Sequence, residues 1–158
     1  MWVVGDMAGA SVRLNEMLKN VTAPGFVSDL AQVLRPNDIH VIPWEYETGQ
    51  RTRLVQAFKY GQAVVATRKS VSCFPEAVDD HNCILVDSLE EMSHAIIRLR
   101  LDDVHRTRLG KNARATFISS FTRDSLMPRY KLLIDSISSS NTGIRRPETS
   151  NRSDRLSI

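Results

Sequence analysis

A chain of 158 residues, 42% of them hydrophobic and with a net charge of +3, is sized for one domain with a real core. The segment from Ser138 to Ile158 holds four arginines against Glu148 and Asp154, which leaves the body at only +1 and argues against a nucleic-acid-binding fold, since such folds concentrate positive charge on one face. No apolar run approaches a membrane span, no basic-then-apolar leader opens the chain, and Cys73 and Cys83 lack zinc-site spacing, so free thiols in a reducing cytoplasm are expected.

Taken in order, Trp2-Val3-Val4-Gly5 is a short apolar run that fits a buried strand. Ser11 to Leu18 fits a helix. Val21 to Val27, with Pro24 and Gly25, fits a short strand and turn, and Asp29 to Leu34 a helical segment broken by Pro36 and Asn37. Asp38 to Pro43 is a strand ending at proline. Glu47 to Phe58 then reads as a glycine loop running into a short helix, which Gly61 ends. Ala63 to Thr67 is continuously apolar, the mark of a strand covered on both faces, as in parallel sheets. Arg68 to Asp80 is a loop, and Cys83 to Val86 another buried strand. A capping box at Ser88 to Glu91 opens a helix with Leu89, Met92, Ile96 and Leu99 inward. Asp103 to Ser119 is an arginine-rich helix buried at Val104, Leu109, Ala113 and Phe117. A last helix, Thr122 to Ile137, carries Leu126, Tyr130, Leu133, Ile134 and Ile137 inward, with Pro128 kinking it or marking its start. The Ser, Asn and Arg tail from residue 138 to 158 lacks the apolar surface to order itself. Strands alternating with helices predict an α/β domain over residues 1–137 with a parallel sheet.

The glycine loop is the most informative stretch. A loop that runs into a helix N-terminus presents unpaired N–H groups and the positive end of the helix dipole. Arg51 and Arg53 add guanidinium groups that pair with phosphate oxygens. The loop also follows the carboxyl end of a predicted strand, where parallel sheets take their ligands. A phosphorylated ligand, most simply a nucleotide, is the expectation.

Six stretches in order carry a resemblance: Trp2-Val3-Val4-Gly5; Gly25-Phe26-Val27-Ser28-Asp29-Leu30; Asp38 to Pro43; Gly49 to Phe58, close to G-T-R-L-K-x-x-E-A; Gly61 to Thr67, close to G-x-P-V-V-A-T; and Leu109-Gly110-Lys111-Asn112-Ala113-Arg114, which fits L-G-x-N-A-R. Together they resemble the nucleotide-sugar-binding, C-terminal half of retaining glycosyltransferases of the GT-B fold, the family four group. The resemblance implies a Rossmann-like parallel sheet with helices on both faces. It implies transfer of a hexose from a nucleotide-diphosphate sugar, with no metal requirement and no other cofactor. Arg51 and Arg53 would face the diphosphate as the catalytic charges. Gly49, Gln50 and Thr52 would lie along the donor, Gln56 at the ribose, and Phe26 and Val27 in the base pocket.

The chain departs from the family in two ways. The family's spaced glutamate pair falls on Thr48 and Gln56, and Gln56 offers the ribose a neutral bond about 1 kcal/mol weaker than a charged one. The family also has an earlier strand and helix and an acceptor-binding domain, which this sequence lacks. A truncated remnant without catalysis, or one subunit of a split enzyme whose partner chain brings the acceptor domain, is therefore the alternative. Other residues have plain readings: Arg51, Arg53 and Gln56 as a solvated helix face, Phe26 as ordinary core, His40 as a satisfied core histidine, and Glu45 and Glu47 as loop carboxylates without a catalytic role. The basic helix from Arg106 to Arg114 reads as a solvated face, with a peripheral membrane or partner surface as its alternative.

Overall fold

A computed structural model describes residues 2–4, 19, 21–47 and 52–140. Two sheets form. Strands β1 (Trp2–Val4) and β2 (Thr22–Gly25) pair in parallel. Strands β3 (Ile39–Ile42), β4 (Ala63–Thr67) and β5 (Cys83–Val86) make a second, parallel sheet in the order β3-β4-β5. Its register runs from Ile39 opposite Ala63 to Ile42 opposite Ala66, and from Val64 opposite Cys83 to Thr67 opposite Val86. The described helices are α1 (Thr52–Lys59), α2 (Leu89–Leu101), α3 (Asp103–Ser120) and α4 (Arg123–Ser140). None is long and apolar enough to cross a membrane. The expected helix at residues 11–18 and the tail from 141 lie outside the described residues, and the segment after Asp29 makes only a 3-10 turn at Leu30–Gln32.

All five residues of β4 are buried because helices cover both faces of the sheet. Side chains alternate along a strand. Val64 and Ala66 therefore join Leu54, Ala57 and Phe58 of α1 on one face, while Ala63 and Val65 join Met92, Ala95 and Leu99 of α2 on the other. Helix α3 contributes Leu109 to the second cluster and Ala113 to the first. It runs across the amino ends of the strands. There Asn112 Nδ2 donates to the His81 carbonyl, two residues before β5, at 2.8 Å, and Arg114 donates to the Lys59 carbonyl.

Glycine makes that crossing feasible. Gly61 turns the chain from α1 into β4 with φ +65°, a left-handed conformation that side chains disfavour. A Cβ on Gly110 would collide with the Gly61 carbonyl. The L-G-x-N-A-R stretch thus acts here as packing: Leu109 and Ala113 fill the core, Gly110 permits contact, and Asn112 and Arg114 tie down neighbouring turns.

Several expected core positions are corrected. Leu89 and Val104 are exposed, at 44% and 82%, because both sit in first turns outside the packed stretches of their helices; Ala95 is buried in α2. Tyr130, Leu133, Ile134 and Ile137 of α4 are all more than half exposed. Only the start of α4, at Ser125 and Leu126, is partly buried, and no layer of described residues lies on the rest. Pro128 falls inside this helix, where it removes the N–H that the Asp124 carbonyl would accept. Ser88 caps α2 as expected, its Oγ accepting from Glu91 N at 3.1 Å, but the Glu91 carboxylate reaches back to Asp87 N at 2.9 Å rather than to the cap residue itself. The arginines of α3 are not a free solvated face either. Arg106 donates to the Leu99 carbonyl, Arg108 to the Asp80 carbonyl and carboxylate, and Arg114 to Lys59, so each is tied to a neighbouring turn.

Candidate functional site

With α3 laid across the amino ends of the strands, the loops at the carboxyl ends are the open face of the sheet, and this is the end where parallel sheets hold ligands. Helix α1 begins here, after β3. Its spacing buries Leu54, Ala57 and Phe58 and turns Thr52, Arg53 and Gln56 together to solvent. Among the described residues Arg53 has no hydrogen-bond or ion-pair partner. Thr48, Gly49, Gln50 and Arg51 lie outside the described residues.

The charge of Arg53 is felt inside the fold. His40, on β3 beneath α1, titrates below the usual histidine value, first because it is buried and also because Arg53 lies near; a hydrogen bond to Gln62 opposes both effects. With Gln62 Oε1 as acceptor at 3.0 Å, His40 Nδ1 carries the proton of a neutral ring. Gln62 in turn donates to the Arg35 carbonyl at 3.4 Å. The histidine is a satisfied packing residue on the underside of the arginine helix.

Phe26 and Val27 stand at the carboxyl end of β2, in the other sheet. Phe26 is 81% exposed, so its reading as ordinary core is corrected: β2 is a solvent-facing strand with nothing packed over that ring. No described hydrogen bond joins Phe26 or Val27 to α1. Asp29, the acid of the same motif, caps the 3-10 turn by accepting from Ala31 N at 3.0 Å.

Sequence reading passed over two features of this end. Thr67, the last residue of β4, is buried and donates its hydroxyl to the Trp44 carbonyl, which pins the loop after β3 to the neighbouring strand. Ser70 closes the turn behind it, donating Oγ to the Thr67 carbonyl at 2.8 Å. That pinned loop carries Trp44 and Tyr46, both largely exposed and packed edge to face at 5.8 Å between ring centres. Two aromatic residues directly after Pro43 were the available signal. Glu45 and Glu47 beside them are exposed. Cys83 is buried and Cys73 exposed, both as free thiols; burial foremost pushes the Cys83 thiol up to about 12. No described cluster of His, Cys, Asp and Glu is placed to hold a metal ion.

The sequence profile of the family described as Glycosyl transferases group 1 matches residues 1–102. Comparison with curated proteins finds no match. Among solved structures, the C-terminal domain of a glycosyl transferase group 1 family protein, LpcC, from Francisella tularensis superposes with a TM-score of 0.58 at 22% identity, covering 70% of this chain and 62% of that one. Anabaena Alr3699/HepE in complex with UDP gives a TM-score of 0.71 at 18% identity, covering 87% of this chain and 40% of that one. Sucrose-phosphate synthase from Thermosynechococcus elongatus gives 0.70 at 20% identity, over 88% and 38%. At such identities the likeness establishes the fold, that of GT-B glycosyltransferase C-terminal domains. The chain spans less than two thirds of the length of each of these structures.

Proposed function

Because the chain belongs to the group 1 glycosyl transferases, we propose that it is a donor-binding domain, holding a nucleotide-diphosphate sugar at the carboxyl end of the β3-β4-β5 sheet for transfer of a hexose with retention. The observation that carries this reading is Arg53, a solvent-facing guanidinium on the first turn of α1 with no described protein partner. Arg51 and Arg53 would neutralise the diphosphate as the bond to the sugar breaks, joined by amides of Gly49, Gln50 and Thr52 at the helix start. Fixed positive charge aimed at a developing anion lowers the barrier without any rearrangement of the site. Gln56, on the same face as Arg53, would bond the ribose, with Phe26 and Val27 against the base. No metal is needed when arginines and helix-end amides supply the positive charge. Two free thiols suit a reducing cytoplasm.

Reading the acceptor falls to structure beyond this domain, in the same polypeptide or in a partner chain. The outward apolar face of α4 favours such a partner, as does Gln56 in place of a charged residue favour a chain that binds donor weakly or has lost catalysis. Calorimetric titration with UDP, GDP and ADP tests the reading. UDP heads the series because HepE was crystallised with it. Micromolar binding of one nucleotide, weakened about tenfold or more in an Arg51→Ala, Arg53→Ala variant, is the expected result, since each lost charge-assisted bond is worth about 1.5–3 kcal/mol. A folded chain that binds none of the three would leave the non-catalytic reading standing.

A further inference from the structure

Trp44 and Tyr46 are costly residues to leave in water, yet the fold holds them there. The Trp44 carbonyl is fixed by Thr67, itself buried at the end of the central strand, and the two rings brace each other edge to face at an interplanar angle of 71°. Edge-to-face packing uses the face of only one ring for the contact and leaves flat apolar surface open to a ligand. The platform stands at the carboxyl end of β3, in the loop that leads towards α1 and Arg53. Its neighbours decide what it can take. Glu45 and Glu47 alternate with the two rings and are exposed. Carboxylates accept hydrogen bonds and repel phosphate, so the occupant is uncharged and rich in hydroxyl donors, with an apolar face to lay on an indole or phenol. A pyranose ring has that chemistry: C–H bonds on one face and hydroxyls around the rim. Phe26, at the end of β2 in the other sheet, is left for the base.

We propose that Trp44 and Tyr46 form a sugar-stacking platform, with Glu45 and Glu47 as acceptors for sugar hydroxyls, so that this loop reads the hexose while α1 holds the diphosphate. The inference rests on the donor-binding reading above. The same surface could meet the sugar of the donor or a sugar of the acceptor, and the ligands in the test separate these sources.

The full chain is titrated with UDP, UDP-glucose and methyl α-glucoside, beside Tyr46→Ala, Trp44→Ala and Trp44→Phe variants whose folding is checked by circular dichroism. For a donor sugar, the alanine variants weaken UDP-glucose about tenfold each while UDP stays within about twofold, and Trp44→Phe retains most of the affinity. Saturation-transfer NMR then shows pyranose protons in contact in the wild type and not in the alanine variants. For an acceptor sugar, methyl α-glucoside binding is the quantity lost. Equal weakening of UDP and UDP-glucose would mean that the rings stack the base and would overturn the platform, as would unchanged binding of all three ligands. A wild-type chain that binds neither nucleotide sinks the donor reading itself. In that event glucoside binding lost on removing the rings upholds the platform, and no glucoside binding overturns it too. Should Trp44→Ala fail to fold, the two-thirds exposed Tyr46 carries the test alone.

Discussion

Strand β4 and helix α4 are both apolar in sequence, and they end in opposite surroundings. Every residue of β4 is buried, whereas Met127, Tyr130, Leu133, Ile134 and Ile137 of α4 are each more than half exposed. A continuous apolar strand demands cover on both faces, and the neighbouring segments supply it as α1, α2 and α3. A helical stripe demands cover on one side and does not say who provides it. The exposed residues 127, 130, 134 and 137 fall at the 3-4-3 spacing of a helix–helix seam, so the face is built to be covered. Periodicity reports an interface; topology decides whether the other half lies in the same domain.

The largest expected effect comes from opposing substitutions in the two regions. Leu54, fully buried under α1, should cost about 2–5 kcal/mol as Leu54→Ala in urea unfolding. Ile134→Ala on α4 should stay within about 0.5 kcal/mol. An equally large loss at Ile134 would show that α4 is already covered in solution, and the comparison would fail. Next comes Gly110→Ala, whose added methyl meets the backbone of Gly61 rather than a flexible side chain. Overpacking of this kind costs about 1–3 kcal/mol. A neutral result would mean that α3 can lift from the amino ends of the strands.

Legibility in the sequence follows the same division. The β3-β4-β5 sheet and its helices could be read because Ala63 to Thr67 is uniformly apolar and because Gly61, Pro43 and the Ser88 cap punctuate the chain locally. The inward face of α4 was misplaced for the opposite reason: Leu133 and Ile134 have correct helical spacing, but their partner is not among the described residues. Leu89 and Val104 were misjudged because a pattern extends to the end of a helix while packing stops a turn short. At the site, Arg53 and Gln56 were found through motif and helix position. Thr67 was not, because a threonine closing an apolar strand gives no hint that its hydroxyl will hold the carbonyl of Trp44. Such contacts come from strand neighbours far apart in sequence.

A smaller loss is expected at Asn82, which is buried before β5 with all its amide groups engaged: Oδ1 accepts from Val78 N at 2.9 Å, and Nδ2 donates to the Glu76 carbonyl at 2.7 Å and to Thr116 Oγ1 at 3.0 Å. Asn82→Ala should cost about 1–3 kcal/mol by stranding those partners. His40 adds a pH dependence. Its folded value lies below the unfolded value of 6.5, so around that pH the unfolded chain binds more protons. Stability contributed by the neutral ring is present above 6.5, falls as pH drops through it, and levels off below the folded value. Urea midpoints at pH 7.5 and 5.5 should therefore converge in a His40→Asn variant relative to wild type. An unchanged gap would mean that the burial of His40 does not govern its titration.

The smallest perturbation probes the core without altering it. Cys83 is buried on β5 among the residues packed under α1, and its thiol is raised to about 12, so at neutral pH it is neither reachable nor ionised. Cys73 lies exposed in the loop after β4. Under native conditions iodoacetamide should modify Cys73 alone, and Cys83 should react only at the rate at which the sheet opens. Mass spectrometry of digested samples reads both sites separately. Because that rate is set by the packed half of the molecule, Gly110→Ala should accelerate modification of Cys83 while Ile134→Ala leaves it unchanged. If Ile134→Ala also exposes Cys83, then α4 and the sheet unfold as one unit, and the contrast between a packed core and an open flank holds only for the static structure.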